Sequence, residues 1–231
     1  MSTITDTNRR GGVDWLLLIA ALGLGAMLVR AVFYTPIEAL QGPAQKIFYL
    51  HAPLAFIGLY VAFGIVGVSG VLYLWLRDER LDRVGSSAAE VGVVYMTGVL
   101  VTGPLWGKPI WGTWWSWDAR LTLTLLLWFV FLGYLILRGA VEDAGTRARY
   151  SAVIGVLGAL LVPFIHLSVY LFQARLHPMP VVLKPGQPSL PPEMLTTFLL
   201  AFGAFAMLCI AFIRARYRLG VLRDLAAELA G

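Results

Sequence analysis

LTLTLLLWFVFLGYLILR, residues 121–138, carries no charged side chain until it meets Arg138. A helix rises 1.5 Å per residue, so about 20 apolar residues cross the roughly 30 Å hydrocarbon core of a bilayer. The stretch is therefore read as a membrane span. Asp118 stands just before it, where an aspartate side chain accepts from the first orphan amides of a helix.

Working outward, five more runs have the same character, giving spans at about 13–33, 53–76, 88–107, 121–138, 150–171 and 194–213. The 231 residues are 59% hydrophobic and 13% charged, far from the roughly one quarter charged of a soluble domain. The expected fold is an all-α integral membrane protein, one six-span membrane domain over 1–231. Little chain remains for a soluble domain, so function must sit in the spans or their connections. The first run follows Arg9 and Arg10 but lacks a small-residue cleavage site, which reads as a signal anchor. One cysteine, Cys209, allows neither an internal disulfide nor a C-x-x-C-H haem attachment site, and is read as a small core residue.

The net charge of +5 is not taken as a sign of nucleic-acid binding, because in a multi-span chain the placement of basic residues reports orientation. Twelve of the eighteen basic residues fall on one side: Arg9, Arg10, Arg77, Arg80, Arg83, Arg138, Arg147, Arg149, Arg214, Arg216, Arg218 and Arg223. The positive-inside rule predicts both termini in the cytoplasm, with 214–231 as a cytoplasmic tail and a short surface helix as its default form. The first, third and fifth connections then lie outside. The fifth, QARLHPMPVVLKPGQPSLPPE, is rich in proline and glycine and is expected to be extended.

The third connection is the unusual one. WGKPIWGTWWSWDARLT, residues 106–122, holds five of the eight tryptophans: Trp106, Trp111, Trp114, Trp115 and Trp117. One or two would be an interfacial aromatic belt. Four within seven residues exceed what anchoring needs, and 108–120 is read as an outer platform for a large flat apolar ligand. If 111–118 were one helical stretch, Trp111, Trp114 and Trp115 would share a face with Asp118. Arg120, Lys108, Lys46 and Arg30 are available for anionic groups of a ligand, although each alone reads as a snorkelling interface residue.

All three histidines, His51, His166 and His177, fall in the outer half. Imidazoles level with an aromatic platform suggest iron porphyrin, ligated from opposite faces by two of them. Asp118 would then suit a second role, accepting from a ligating histidine. Zinc is less attractive, since no third or fourth ligand is evident.

The tryptophan segment resembles the signature W-G-x-W-W-x-W-D of the CcmC/CcsA tryptophan-rich haem-handling family, and specifically the CcmC branch of system I cytochrome c maturation. It is complete at Trp111, Gly112, Trp114, Trp115, Trp117 and Asp118. QKIFYLHAPLAF is similar to the family segment with the first outer histidine, here His51, and SVYLFQARLHP to that with the second, here His177. Before His177 this chain has Tyr170, Leu171 and Phe172 where the family usually has a tryptophan pair, and His166 in PFIHLSV is the competing ligand.

The resemblance implies transient haem b binding through axial His51 and His177, with the tryptophan segment and Arg120 around the ring. It further implies delivery at the outer face of the bacterial inner membrane to a CcmE-like periplasmic haem chaperone. CcmA/CcmB-like ABC transporter subunits and a small CcmD-like membrane subunit are the implied partners, besides membrane lipid. The role is that of a carrier more than a catalyst.

Three other classes compete. A b-type cytochrome would bury histidine pairs inside its spans. A solute transporter would carry ionisable groups or broken helices near the midplane, where these spans hold few. A system II synthetase shares the signature but generally has larger outer domains and more spans.

Overall fold

A computed structural model describes residues 13–172 and 190–230. Six helices are long and apolar enough to cross a membrane: Trp15–Tyr34, Pro43–Leu76, Glu79–Trp111, Ala119–Ala140, Ala144–Leu171 and Pro192–Leu229. They are called the first to sixth spans. Among the described residues there is no strand, only an isolated bridge between Glu38 and Gly42 in the first connection.

Four spans start on an aspartate. The side chains of Asp14, Asp78, Asp118 and Asp143 accept from the amides of Leu16, Arg80, Leu121 and Thr146 at 3.1, 2.8, 2.9 and 2.7 Å. Each satisfies a first-turn donor that hydrocarbon cannot. The expected capping by Asp118 is thus present.

The second and third spans form the middle of the bundle. On one side they pack against the fourth and fifth through Phe63, Val66, Ala88, Met96, Leu127, Phe131 and Ile165. On the other they pack against the first and sixth through Met27, Tyr49, Ile57, Tyr95, Phe198, Phe205 and Cys209. Cys209 is fully buried, the core position its sequence context suggests. Phe63 and Phe131 stack at 3.8 Å with planes 6° apart. Gly92 makes that stack possible, because a Cβ there would fall 2.3 Å from Phe63 Cε1.

Several spans exceed expectation: the second begins at Pro43 and the fifth at Ala144, where 53 and 150 were expected. The third span begins at Glu79 and ends at Trp111, outside the expected 88–107 at both ends. Hydropathy sees only the hydrocarbon-facing part, whereas Asp78, Glu79 and Asp82 sustain a polar first turn. The sixth helix runs unbroken from Pro192 to Ala230, so the tail is its continuation and not a separate surface helix. At 39 residues it is about 58 Å long, roughly twice the hydrocarbon thickness. Its extension is held to the third span by Arg216 with Glu90, and by Arg83 with Asp224 at 2.7 Å. Nearby, Arg138 grips Asp82 through two bonds of 2.6 and 2.8 Å. Arg214 pairs with Asp14 at 3.1 Å, so the first helix starts at this same end. The tryptophan segment lies at the other.

Candidate functional site

His51 sits on the α-helical stretch Phe48–Phe56 of the second span. Its Nδ1 lies 2.9 Å from Thr102 Oγ1, and its ring meets Trp106 edge to face at 5.6 Å. Thr102 and Trp106 are four residues apart on the third span and so share a face. Between them Gly103 clears space for the imidazole, since a Cβ there would fall 3.3 Å from His51 Cε1. Four residues on, Gly107 lets the Trp111 ring fold back over the helix, where a Cβ would lie 2.8 Å from Cε3. Thr102, Trp106 and the two glycines thus seat a histidine and an indole along one groove. The α-helical hydrogen bonding of the second span is interrupted just beyond it: Pro53 has no amide to donate, and a π-helical turn follows at Ile57–Ala62.

Trp106 Nε1 donates to Gln41 Oε1 at 3.2 Å, which ties the first connection to the groove. Glu38 Oε2 in turn accepts from the amides of Leu40 and Gln41 at 2.9 and 2.6 Å. Gly42, at φ +60°, completes that turn in a conformation that favours glycine.

The tryptophan segment does not form the single helical stretch considered for 111–118. Its helix stops at Trp111 because Gly112 adopts φ +75°, the left-handed stop that glycine takes without penalty. The next helix starts only at Ala119, after the Asp118 cap. The seven residues between the two helices, 112–118, present indoles from an irregular backbone. Trp114 and Trp117 are 57% and 76% exposed, whereas Trp115 is half-buried and meets Trp117 edge to face at 5.9 Å. Trp115 Nε1 is buried with no hydrogen-bond partner among the described residues. Thr113 Oγ1 donates to the Trp115 carbonyl at 2.9 Å and holds the turn.

Three of the four cations considered for an anionic ligand have local work. Lys46 Nζ donates to the carbonyls of Ala31, Val32 and Thr35 at 2.5, 3.0 and 3.2 Å, closing the end of the first span. Lys108 donates to the Gly112 carbonyl at 2.8 Å and lies over the Trp114 ring at 5.9 Å. Arg30 donates to Thr197 at 3.1 Å. The Arg120 guanidinium makes no hydrogen bond or ion pair among the described residues.

His166 belongs to a separate cluster, with Nδ1 2.8 Å from Tyr60 Oη. His177 lies outside the described residues. Sequence reasoning missed Thr102 and Tyr60. The i to i+4 spacing of Thr102 and Trp106 was a usable signal for the first; the second, 106 positions from His166, had none.

A half-buried imidazole seated in a glycine-lined groove, beside indoles at one end of a six-span bundle, defines a multi-pass membrane protein with an aromatic face. The chain belongs to the heme exporter protein C (CcmC) family, whose family model matches residues 6–230. It is 33% identical over 208 residues to heme exporter protein C of Haemophilus influenzae, covering 90% of this chain and 83% of that protein. For the protein of that name from Bradyrhizobium diazoefficiens the figures are 34% over 211 residues, 91% and 79%. For that from Escherichia coli K12 they are 32% over 159 residues, 68% and 64%.

Proposed function

We propose that this protein holds haem b on its tryptophan-bearing face, with His51 and His177 as axial ligands, and delivers it during c-type cytochrome biogenesis. Haem is the cargo, and the relatives' shared name, heme exporter protein C, supports that reading. The observation that carries it is the seat of His51. Thr102 fixes Nδ1, as the partner of a ligating imidazole does, and Gly103 keeps the ring clear of the helix. The residues fit a porphyrin: exposed Trp114 and Trp117 offer ring faces, and the buried Trp115 N–H has a donor to give. Arg120 is the cation suited to a propionate, since carboxylates bind guanidinium in bidentate fashion.

The face is periplasmic on this reading, because the opposite end carries twelve of the eighteen basic residues. Both termini are then cytoplasmic and the membrane is the bacterial inner one. A shallow site at that level leaves the haem edge reachable by a CcmE-like periplasmic chaperone. CcmA/CcmB-like transporter subunits and a CcmD-like subunit complete the assembly. Haem supplies the reactivity, and the protein supplies position and orientation.

The test is the visible spectrum of the purified protein beside His51→Ala, His177→Ala and His166→Ala. The haem spectrum should be lost or altered in the first two and kept in the third. A spectrum unchanged without His51 and His177 would discard the ligand assignment.

A further inference from the structure

A second polar cluster stands on the flank between the second and fifth spans. Tyr60, on the π-helical turn, is hydrogen-bonded to His166 at 2.8 Å with the rings edge to face at 6.2 Å. Tyr170, one turn further along the fifth span, meets the same imidazole at 6.0 Å. Tyr60 and Tyr170 are 42% and 48% exposed, so both rings look outward from the bundle. Phe56 extends the aromatic surface, its ring 5.7 Å from that of Tyr60. Arg120, at the start of the fourth span, interacts electrostatically with both phenols and with Asp118. It thus lies near both this flank and the end of the tryptophan segment.

Two exposed phenols with a half-buried imidazole and a half-buried cation beside them, on apolar helices, are disfavoured in a bilayer unless something polar meets them. Among the described residues the guanidinium has electrostatic neighbours but no hydrogen bond or ion pair, and the surrounding surface is aromatic. A ligand matching this cluster has anionic oxygens for Arg120 and the Tyr60 and Tyr170 hydroxyls, joined to a planar apolar body. A phospholipid offers the oxygens but has no use for the rings.

We propose that Tyr60, His166, Tyr170 and Arg120 form a lateral loading station, where a porphyrin dissolved in the bilayer is caught by its carboxylates before it reaches His51. This rests on haem being the cargo. Arg120 is shared, so a carboxylate caught on the flank passes toward the tryptophan segment without leaving its cation.

The test uses full-length protein in phosphatidylcholine nanodiscs, with metal-free protoporphyrin IX and its dimethyl ester as probes, read by energy transfer from tryptophan. Neither probe needs an axial ligand. The diacid should bind about tenfold more tightly than the diester, because esterification removes charge-assisted hydrogen bonds. That preference should persist in His51→Ala. In Arg120→Gln, and in the double variant Tyr60→Phe with His166→Gln, it should shrink to about twofold or less. Tyr150→Phe, an exposed tyrosine at the other end of the fifth span, is the control and should change nothing.

Equal binding of diacid and diester by the parent overturns the station, and that result needs no variant to fold. So does a preference untouched by Arg120→Gln, or one lost in His51→Ala, which would assign the effect to the two-histidine site. Abolition of the preference by phosphatidylglycerol would identify a headgroup phosphate as the natural ligand and overturn it as well. A diacid preference in a protein whose haem spectrum ignores His51 would support the station and sink only the ligand assignment.

Discussion

His51 is oriented by residues of another helix, Thr102 and Trp106, and this gives its setting a measurable weight. Thr102→Val keeps the shape and removes the oxygen at Nδ1. Loss of such a partner weakens a ligating histidine's site by about 10-fold or more. Haem retention by Thr102→Val should fall by that factor, with the axial-ligand bands shifted and not abolished. Trp114→Ala and Trp115→Ala should weaken haem retention or transfer by about 2- to 10-fold, the worth of one aromatic contact, while insertion stays intact. Unchanged retention and chaperone loading in both would remove the platform. At this scale the sequence displayed the chemistry-bearing residues and concealed their partners. His51 and the indoles are conspicuous by type, but Thr102 lies 51 positions from the ring it holds, and its spacing from Trp106 marks a shared face without linking it to His51.

Among the elements, the existence of all six spans was legible because hydrocarbon imposes its thickness on every crossing. Their ends were not. Capped polar turns extend the third span, and the sixth continues through a tail whose arginines hydropathy scores as a break. The backbone of the tryptophan segment was less legible still. Its i, i+3, i+4 spacing fits a helix, but Gly112 and Asp118 interrupt the backbone on either side of Trp114 and Trp115. Gly112→Ala tests this. A Cβ there meets no neighbour, so its effect comes from the positive φ alone, about 1–2 kcal/mol of strain. The variant should unfold at lower temperature in detergent and lose haem more readily, since relief of the strain moves the indoles. Asp118→Ala should cost about 1 kcal/mol for the lost cap. A haem loss much larger than Gly112→Ala produces would give Asp118 a role beyond capping.

At the scale of the bundle, the ion pairs among the described residues are concentrated at the end opposite the tryptophans. The bidentate Asp82–Arg138 pair is largely buried, with side chains 15% and 17% exposed. Removing one partner strands a charge, so Asp82→Asn should destabilise the bundle by about 3 kcal/mol, seen as a lower unfolding midpoint. The exposed Arg83–Glu79 pair should contribute about 0.5 kcal/mol or less, and Glu79→Gln should leave the midpoint almost unmoved.

The interior prolines are distributed the other way. Pro53, Pro104, Pro109 and Pro163 all lie inside helices close to His51, Thr102, Trp111 or His166. Each removes one backbone hydrogen bond and pushes a carbonyl aside. Mechanically the molecule is a graded material. One half is a base of unbroken helix clamped by charge; the other has helices interrupted by proline, where, on the proposed reading, a rigid disc of ligand would be seated and later let go.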